Sequence, residues 1–175
     1  MAGKFNIDTI VGHVRNNPLF EPNRYEVIIS GPVEISEHMM FNCAAAGVPG
    51  HNIGSFEHSI IGPKRKIPNE ELFDDLTLTF YNGQHHYEIT TIFNWMKKIA
   101  GGDSYRIAYY NDIVADINIV IYDLLERKTL EVEIAEAYPI GMAEVELGYA
   151  AELPSQTVVN FAYHSYDLRR YINEH

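Results

Sequence analysis

The chain has 175 residues, 46% of them hydrophobic and 21% charged, which allows one domain with a buried core and excludes a disordered or fibrous protein. Its formal net charge of -11 argues against ordinary DNA binding, because phosphate recognition requires clustered Lys and Arg. Cys43 is the single cysteine, so an internal disulfide is excluded, and its apolar neighbours predict a buried thiol with no nucleophilic role. The chain contains no membrane-length apolar run and no secretory signal pattern, so we expect a cytosolic protein without a membrane anchor.

The first predicted elements are an N-terminal arm and two strands. Residues 1–21 are expected to precede the core as an arm, with Asp8 capping a short helix over residues 7–14. The β-branched run at residues 25–30 predicts a strand, and residues 37–44 are a second extended run. Together the two runs predict an opening hairpin.

Residues 48–68 are predicted to form a long excursion from the core. Glycine and proline are frequent from residue 44 to residue 54, which disfavours a regular element there. Long excursions in compact domains are usually functional, and the apolar side chains of this one need a cover that a partner subunit would supply. The candidate contact residues are the apolar Phe56, Ile60 and Ile61 and the basic cluster Lys64, Arg65 and Lys66.

A strand and a helix follow. Leu76, Leu78 and Phe80 alternate with polar residues, which predicts a half-buried strand. The period then changes, and Gly101-Gly102 supplies a helix stop. The predicted apolar stripe of this helix consists of Ile89, Ile92, Phe93, Met96 and Ile99, and Trp95 with its neighbours Phe93 and Met96 is expected to pack the helix onto the sheet.

Four more strands are predicted, over residues 113–124, 129–137, 142–150 and 157–165. Two of them alternate apolar residues with glutamates, so one sheet face is expected to be acidic. The fold class is therefore mainly β, a β-barrel or sandwich with one flanking α-helix, formed as a single domain over residues 1–175. The acidic face is predicted to contain Glu131, Glu133, Glu144 and Glu146.

No residue pattern supports catalysis, a cofactor or a metal site. His85, His86 and Glu88 resemble a ligand group, but adjacent histidines point in different directions and no further ligand has suitable spacing. Asp74 and Asp75 are neighbours on a strand and face opposite ways. No nucleophile elbow or phosphate-binding glycine loop is present, so we expect a protein that is not an enzyme.

Several segments, in their order along the chain, resemble the tail tube protein family of contractile-tailed bacteriophages. The similarity covers about residues 22–166, and the order of the segments is more specific than any one of them. The segments are residues 22–29 (PNRYEVII), 41–50 (FNCAAAGVPG), 62–66 (GPKRK), 73–82 (FDDLTLTFYN), 93–96 (FNWM), 138–140 (YPI), 147–149 (LGY) and 158–166 (VVNFAYHSY).

The resemblance implies a structural virion protein that assembles as hexameric rings stacked into the inner tail tube, the conduit for DNA ejection. It implies an inner wall made of strands from all subunits, a hairpin at residues 48–68 that contacts the neighbouring ring, and no cofactor. The implied partners are further copies of the chain, the tail sheath protein, and the baseplate and tape measure proteins. DNA would pass through the lumen without specific binding. The implied location is the virion tail, assembled in the cytoplasm of the bacterial host.

In such a ring, the acidic face would form a negative channel wall in which phosphates find no cation to bind. Alternatively, this face is solvated or meets the sheath. Two other functions stay open: a tube protein of a phage-derived contractile injection or type VI secretion-like system, and a small enzyme or ligand-binding β-barrel. Tyr163 and Tyr166 are possible oligomer contacts.

Overall fold

The computed structural model describes residues 21–31, 35, 37–58, 64–102, 106–145, 147–148 and 154–171, so the predicted arm lies almost wholly outside the described residues. Nine strands, two α-helices and a short 3-10 helix at Tyr110–Asp112 are present in this part of the chain, and all strand pairs are antiparallel. The mainly β fold class with one flanking helix is confirmed. The elements are β1 (Tyr25–Ser30), α1 (Glu37–Phe41), β2 (Cys43–Ala46), β3 (His51–His58), β4 (Arg65–Phe73), β5 (Leu76–Tyr81), α2 (Tyr87–Ile99), β6 (Ala115–Tyr122), β7 (Lys128–Met142), β8 (Gln156–Ala162) and β9 (Ser165–Arg170).

The long strand β7 belongs to two four-stranded sheets. The first sheet contains β1, β6, β9 and the first part of β7, and the second contains β2, β5, β8 and the last part of β7. Between the two parts, Glu136 has a φ of 55°, and its amide donates to the Asp116 carboxylate at 3.1 Å, next to a register shift against β6. Such a bulge bends a strand and lets it pass from one sheet to the next.

The core lies between the two sheets and is closed by α2. Trp95 is fully buried, its indole nitrogen donates to the carbonyl oxygen of Ile113 at 2.7 Å, and its ring lies 5.9 Å from that of Phe161. Leu76, Leu78 and Phe80 are fully buried, which confirms the alternation predicted for β5. The other core residues from the sheets are Val27, Ile29, Ile117, Ile119, Val132, Ile134, Ala137 and Val159.

The predicted opening hairpin is wrong. Residues 37–41 form the short helix α1, because the run EHMMF contains no β-branched residue and its Met39 fits fully buried into the core. The strand that follows, β2, pairs with β5, whereas β1 pairs with β6. The two opening strands therefore lie in different sheets.

The predicted strand boundaries after the helix are partly wrong. Residues 113–124 and 129–137 correspond to β6 and β7, but β7 continues through Pro139 to Met142. Proline fits there because β6 pairs with β7 only as far as Ala137, so Pro139 has a strand neighbour on one side. No strand is present in the described residues 143–145 and 147–148, and β9 is an additional strand beyond the predicted boundary at residue 165.

Helix α2 is confirmed, but its buried face is rotated from the predicted stripe. Ile92 and Trp95 are buried, whereas Phe93 is 56% exposed. Gly101 and Gly102 have φ values of 77° and 55°, as a glycine helix stop requires. No helix among the described residues has the length and apolarity needed to cross a membrane.

The carboxylate of Glu88 lies buried in the first turn of α2 and connects the helix to the turn before it. It accepts hydrogen bonds from Asn42 Nδ2 at 2.6 Å and from the Gly83 amide at 3.1 Å. Burial by itself raises the pKa of this carboxyl, but the hydrogen bonds from Asn42 and the backbone outweigh burial, and the pKa is lowered from its ordinary value.

Replacing Glu88 with Gln is therefore expected to destabilise the protein by about 1–3 kcal/mol at neutral pH, because two donors lose a charged acceptor. The folded-state pKa lies below the unfolded one, so this stabilisation is complete above the unfolded pKa and disappears as the pH falls through the folded pKa. Denaturant unfolding of both proteins at neutral and acidic pH measures the difference. Glu57→Gln, at an exposed position, is the control. If Glu88→Gln lowered the free energy of unfolding by the same amount at neutral and at acidic pH, the expectation would be contradicted.

Candidate assembly surfaces

Strands β3 and β4 form a hairpin that projects from the body of the protein. Within the described residues they pair with each other and with no other strand. The excursion predicted over residues 48–68 is thus a β-hairpin that continues to Phe73, whereas the candidate contact residues Ile60 and Ile61 lie outside the described residues.

One side of the hairpin is an exposed apolar face, defined by Phe56, Ile67 and Leu72. Phe56 and Ile67 are direct cross-strand partners, and Leu72 is opposite Asn52, three pairs closer to the base and on the same side across a register shift. These three apolar side chains are 48%, 38% and 47% exposed. Gly54 lies between them, where an added Cβ would approach Leu72 Cδ1 to 3.6 Å and Glu70 Cγ to 3.1 Å.

An aromatic cluster fixes the base of the hairpin to the body. The Phe73 ring lies 5.6 to 5.9 Å from the rings of Tyr163, Tyr166 and His51. Tyr163 also donates its hydroxyl to the carbonyl oxygen of Asp74 at 2.8 Å, and burial raises the pKa of this phenol to about 12. Tyr163 and Tyr166, which were predicted as possible oligomer contacts, therefore orient the hairpin of their own chain. Their spacing in the sequence did not indicate this contact.

The basic cluster Lys64, Arg65 and Lys66 lies at the free end of the hairpin. All three residues are exposed, and Lys64 Nζ is 3.1 Å from Glu57 Oε2 on the opposite strand. An exposed pair of this kind contributes little to stability. The cluster thus places net positive charge at the part of the hairpin most distant from the body of a chain whose net charge is -11.

The outward side of the first sheet is an acidic face. Glu133 forms an ion pair with Arg169, with 2.9 Å between Nη1 and Oε1, and the Glu131 carboxylate accepts the Tyr171 hydroxyl and is 9% exposed. The negative charge of this face is therefore partly compensated by Arg169. From the register of the strands, its charged members are Glu26, Asp116, Glu131, Glu133, Asp167 and Arg169.

Two of the four glutamates predicted for this face do not lie on a described strand of the first sheet. Glu144 follows the end of β7 in a segment without strand structure, and Glu146 lies outside the described residues. The expectation of two adjoining acidic strands is wrong for the described residues, because β7 continues through Pro139 to Met142 and residues 143–145 and 147–148 form no strand beside it.

The residues considered for chemistry occupy ordinary positions. His86 is the N-cap of α2 with a φ of 53°, and the His85 ring lies 5.6 Å from the Tyr87 ring. Cys43 is half-buried rather than fully buried, and burial raises the pKa of its thiol to about 11. In the part of the chain that the structure describes, no group of three or more His, Cys, Asp or Glu side chains is arranged to hold a metal ion.

The chain superposes on chains from solved structures of contractile particles. A chain of the anti-feeding prophage baseplate superposes with a TM-score of 0.68 at 9% identity, covering 88% of this chain and 97% of its own. A chain of the PVC sheath-tube complex, an extracellular contractile injection system, gives a TM-score of 0.64 at 11% identity, covering 91% and 97%. At these low sequence identities, the similarity shows that the chains share a fold and nothing more. No curated protein sequence matches the chain significantly.

The sequence model of the phage tail tube protein family matches residues 20–169. The chain therefore belongs to the phage tail tube protein family. The match includes all nine strands apart from the last residue of β9, and it includes the hairpin.

Proposed function

We propose that this protein forms stacked hexameric rings of the inner tail tube of a contractile phage tail, the conduit for DNA ejection. Membership of the tail tube family supports a structural role. The hairpin is the observation that carries the proposal. It exposes Phe56, Ile67 and Leu72 together on a two-stranded element that no other strand covers within the described residues.

Assembly supplies the cover that the hairpin lacks. Fully burying a side chain of this size is worth about 1.5–3 kcal/mol, and slightly less than half of each one is exposed, so burial between copies would add about 1 kcal/mol per side chain in every subunit. A hairpin that reaches a different surface on the next copy makes a heterologous contact, which is the type that builds open, stacked assemblies. The candidate inter-ring residues are thus Phe56, Lys64, Arg65 and Lys66, together with Ile60 and Ile61.

The proposed partners are the sheath, the baseplate and the tape measure protein. The superposed chains come from structures described as a baseplate, a sheath-tube complex and a sheath/tube terminator, which supports the first two. Binding of the sheath would require that each subunit exposes part of its surface on the outside of the tube. We propose that the particle is assembled in the bacterial cytoplasm.

The lumen role of Glu131 and Glu133 stays a proposal. In its support, the middle of the acidic face carries Arg169 against the five carboxylates of Glu26, Asp116, Glu131, Glu133 and Asp167, so repeated around a ring it would offer phosphates few binding sites. The outward side of the second sheet is the alternative wall. It carries no charged residue on its paired positions, among them Thr77, Thr79 and Asn160, and DNA would slide past either surface.

Electron microscopy of the purified full-length chain tests the proposal. Hollow tubes with sixfold rings are the expected result, and a monomer at high concentration in physiological salt would overturn the assembly role. In a tube map, the acidic face pointing to the axis supports the lumen role of Glu131 and Glu133. The same face pointing outward rejects the lumen role and leaves the tube assignment intact.

A second candidate function is the tube of a phage-derived extracellular injection system. The superposition on anti-feeding prophage and PVC chains favours this candidate. Particles isolated from the producing cell distinguish the two functions, because a phage tail is attached to a DNA-filled head and an injection particle is not.

A further inference from the structure

The turn between β6 and β7, residues 123–127, presents two leucines to solvent. Leu124 is 57% exposed and Leu125 is 68% exposed, side by side at the tip. Single exposed leucines are common on protein surfaces. Two adjacent leucines at the tip of a turn form a small apolar patch, and its exposure to water is unfavourable. We refer to residues 123–127 as the leucine turn.

The leucine turn is held in one conformation by Asp123. Its carboxylate accepts hydrogen bonds from the Leu125 amide at 2.8 Å and from the Arg127 amide at 2.9 Å, and it forms an ion pair with the Arg127 guanidinium at 2.8 Å. Glu126 adopts a φ of 60°, in the left-handed region. A loop with this many internal bonds loses little further entropy when a partner binds.

The surroundings of the leucine turn fit a partner that is apolar and carries a carboxylate. A shallow concavity beside it is lined by Asn23, Arg24, Tyr25, Tyr122 and Glu126. Arg24, Lys128 and Arg170 are exposed at this end of the first sheet, so the leucines have more cations than anions around them.

The hairpin of the same chain offers an apolar face with a carboxylate toward its base, whereas its cations Lys64, Arg65 and Lys66 lie at the other end. Its apolar face combines Phe56, Ile67 and Leu72, and Glu70 lies beside Leu72 at Gly54. Within one chain the two surfaces are apart. The hairpin base contacts Tyr166, which pairs with Ile134, whereas the turn precedes Lys128, six residues away along β7. At 3.3 Å per residue this distance is about 20 Å, so the surfaces lie at opposite ends of the first sheet.

We propose that the leucine turn and its neighbouring concavity receive the apolar face of the hairpin from a second copy of this chain. Leu124 and Leu125 pack against Phe56 and Ile67 of the other copy, and Arg24 or Lys128 approaches Glu70. Because the donor and acceptor surfaces differ and lie at opposite ends, the contact is head-to-tail and can repeat along a stack. This inference rests on the proposed tube function and names the receiving surface that the function requires.

Cross-linking between copies tests the contact directly. Chains with Phe56→Cys and chains with Leu125→Cys are mixed at neutral pH and treated with a short bismaleimide. The natural Cys43 stays in place, because its raised pKa keeps the thiol protonated at that pH. We expect a covalent dimer in the mixture and much less in either chain alone. Leu147→Cys, at an 89% exposed leucine elsewhere, replaces Leu125→Cys in the control mixture and should give no dimer.

The double substitution Leu124→Ser with Leu125→Ser provides the second readout. It should raise the protein concentration needed for tube formation at least about 100-fold, without changing the circular dichroism spectrum or Tm, because both side chains are solvent-exposed. Leu147→Ser is the matched control. Tubes that form normally with the double substitution, and no cross-link in the mixture, would overturn this inference while the tube function stands. Failure of the unsubstituted chain to form tubes would instead overturn the proposed function.

Discussion

A chain carrying Phe56→Asp and Ile67→Asp is expected to fold with an unchanged Tm and to form no tubes. The two side chains are direct cross-strand partners on the exposed side of the hairpin and make no contribution to the core. Less than half of each side chain is exposed, so burying the two between copies is worth about 1–3 kcal/mol. Each new carboxylate would also lose its hydration in the contact, so we expect the critical concentration for assembly to rise more than about 100-fold. Sedimentation and electron microscopy measure assembly, and thermal unfolding measures the fold.

The matched control places the same charges on the other side of the same hairpin. Ser55 and Pro68 are also cross-strand partners, and by the alternation of a strand their side chains point away from Phe56. Ser55→Asp with Pro68→Asp should therefore leave assembly close to that of the unsubstituted chain. Equal loss of tubes in both double variants would mean that charge on the hairpin, rather than the apolar face, controls assembly.

Trp95→Ala is expected to give the largest loss of stability, about 3–5 kcal/mol in the free energy of unfolding. Trp95 is fully buried, so the substitution leaves a cavity beside Phe161. It also removes the indole N–H that donates to the Ile113 carbonyl oxygen at 2.7 Å. A typical domain is stable by 5–15 kcal/mol, so a large fraction of the variant can be unfolded at the host's growth temperature.

The neighbouring aromatic on the same helix is the control for Trp95. Phe93 is 56% exposed on α2, and Phe93→Ala should change the free energy of unfolding by no more than about 0.5 kcal/mol. Denaturant titration monitored by far-ultraviolet circular dichroism measures both variants. A Phe93→Ala loss as large as that of Trp95→Ala would show that the outer side of α2 is packed against another surface in solution.

The elements with a strong local period were predictable from the sequence. Leu76, Leu78 and Phe80 repeat every second residue, and the helix ended by Gly101-Gly102 has apolar residues at helical spacing. Both elements appear where the pattern placed them. Period alone did not decide which residue of an apolar group faces inward, and Trp95 rather than Phe93 fills the core because the larger ring also finds a hydrogen-bond acceptor inside.

Features that depend on partners distant in the sequence were not predictable. Pro139 indicated a break, but a proline is tolerated in β7 because its strand has a single neighbour there. The bulge at Glu136 and the second sheet that it creates depend on Asp116 and β8. For the same reason, two of the four glutamates assigned to one face, Glu144 and Glu146, are not placed there by any described strand.

The aromatic cluster at the hairpin base joins residues that are synthesised far apart in time. Residues 51–73 can pair locally as soon as they leave the ribosome, but Tyr163, which holds Asp74, is synthesised 89 residues later. In the proposed tube, a chain that ends before Tyr163 would lack the hydrogen bond and the ring contact that orient its hairpin. We therefore expect truncated chains to add poorly to a growing tube.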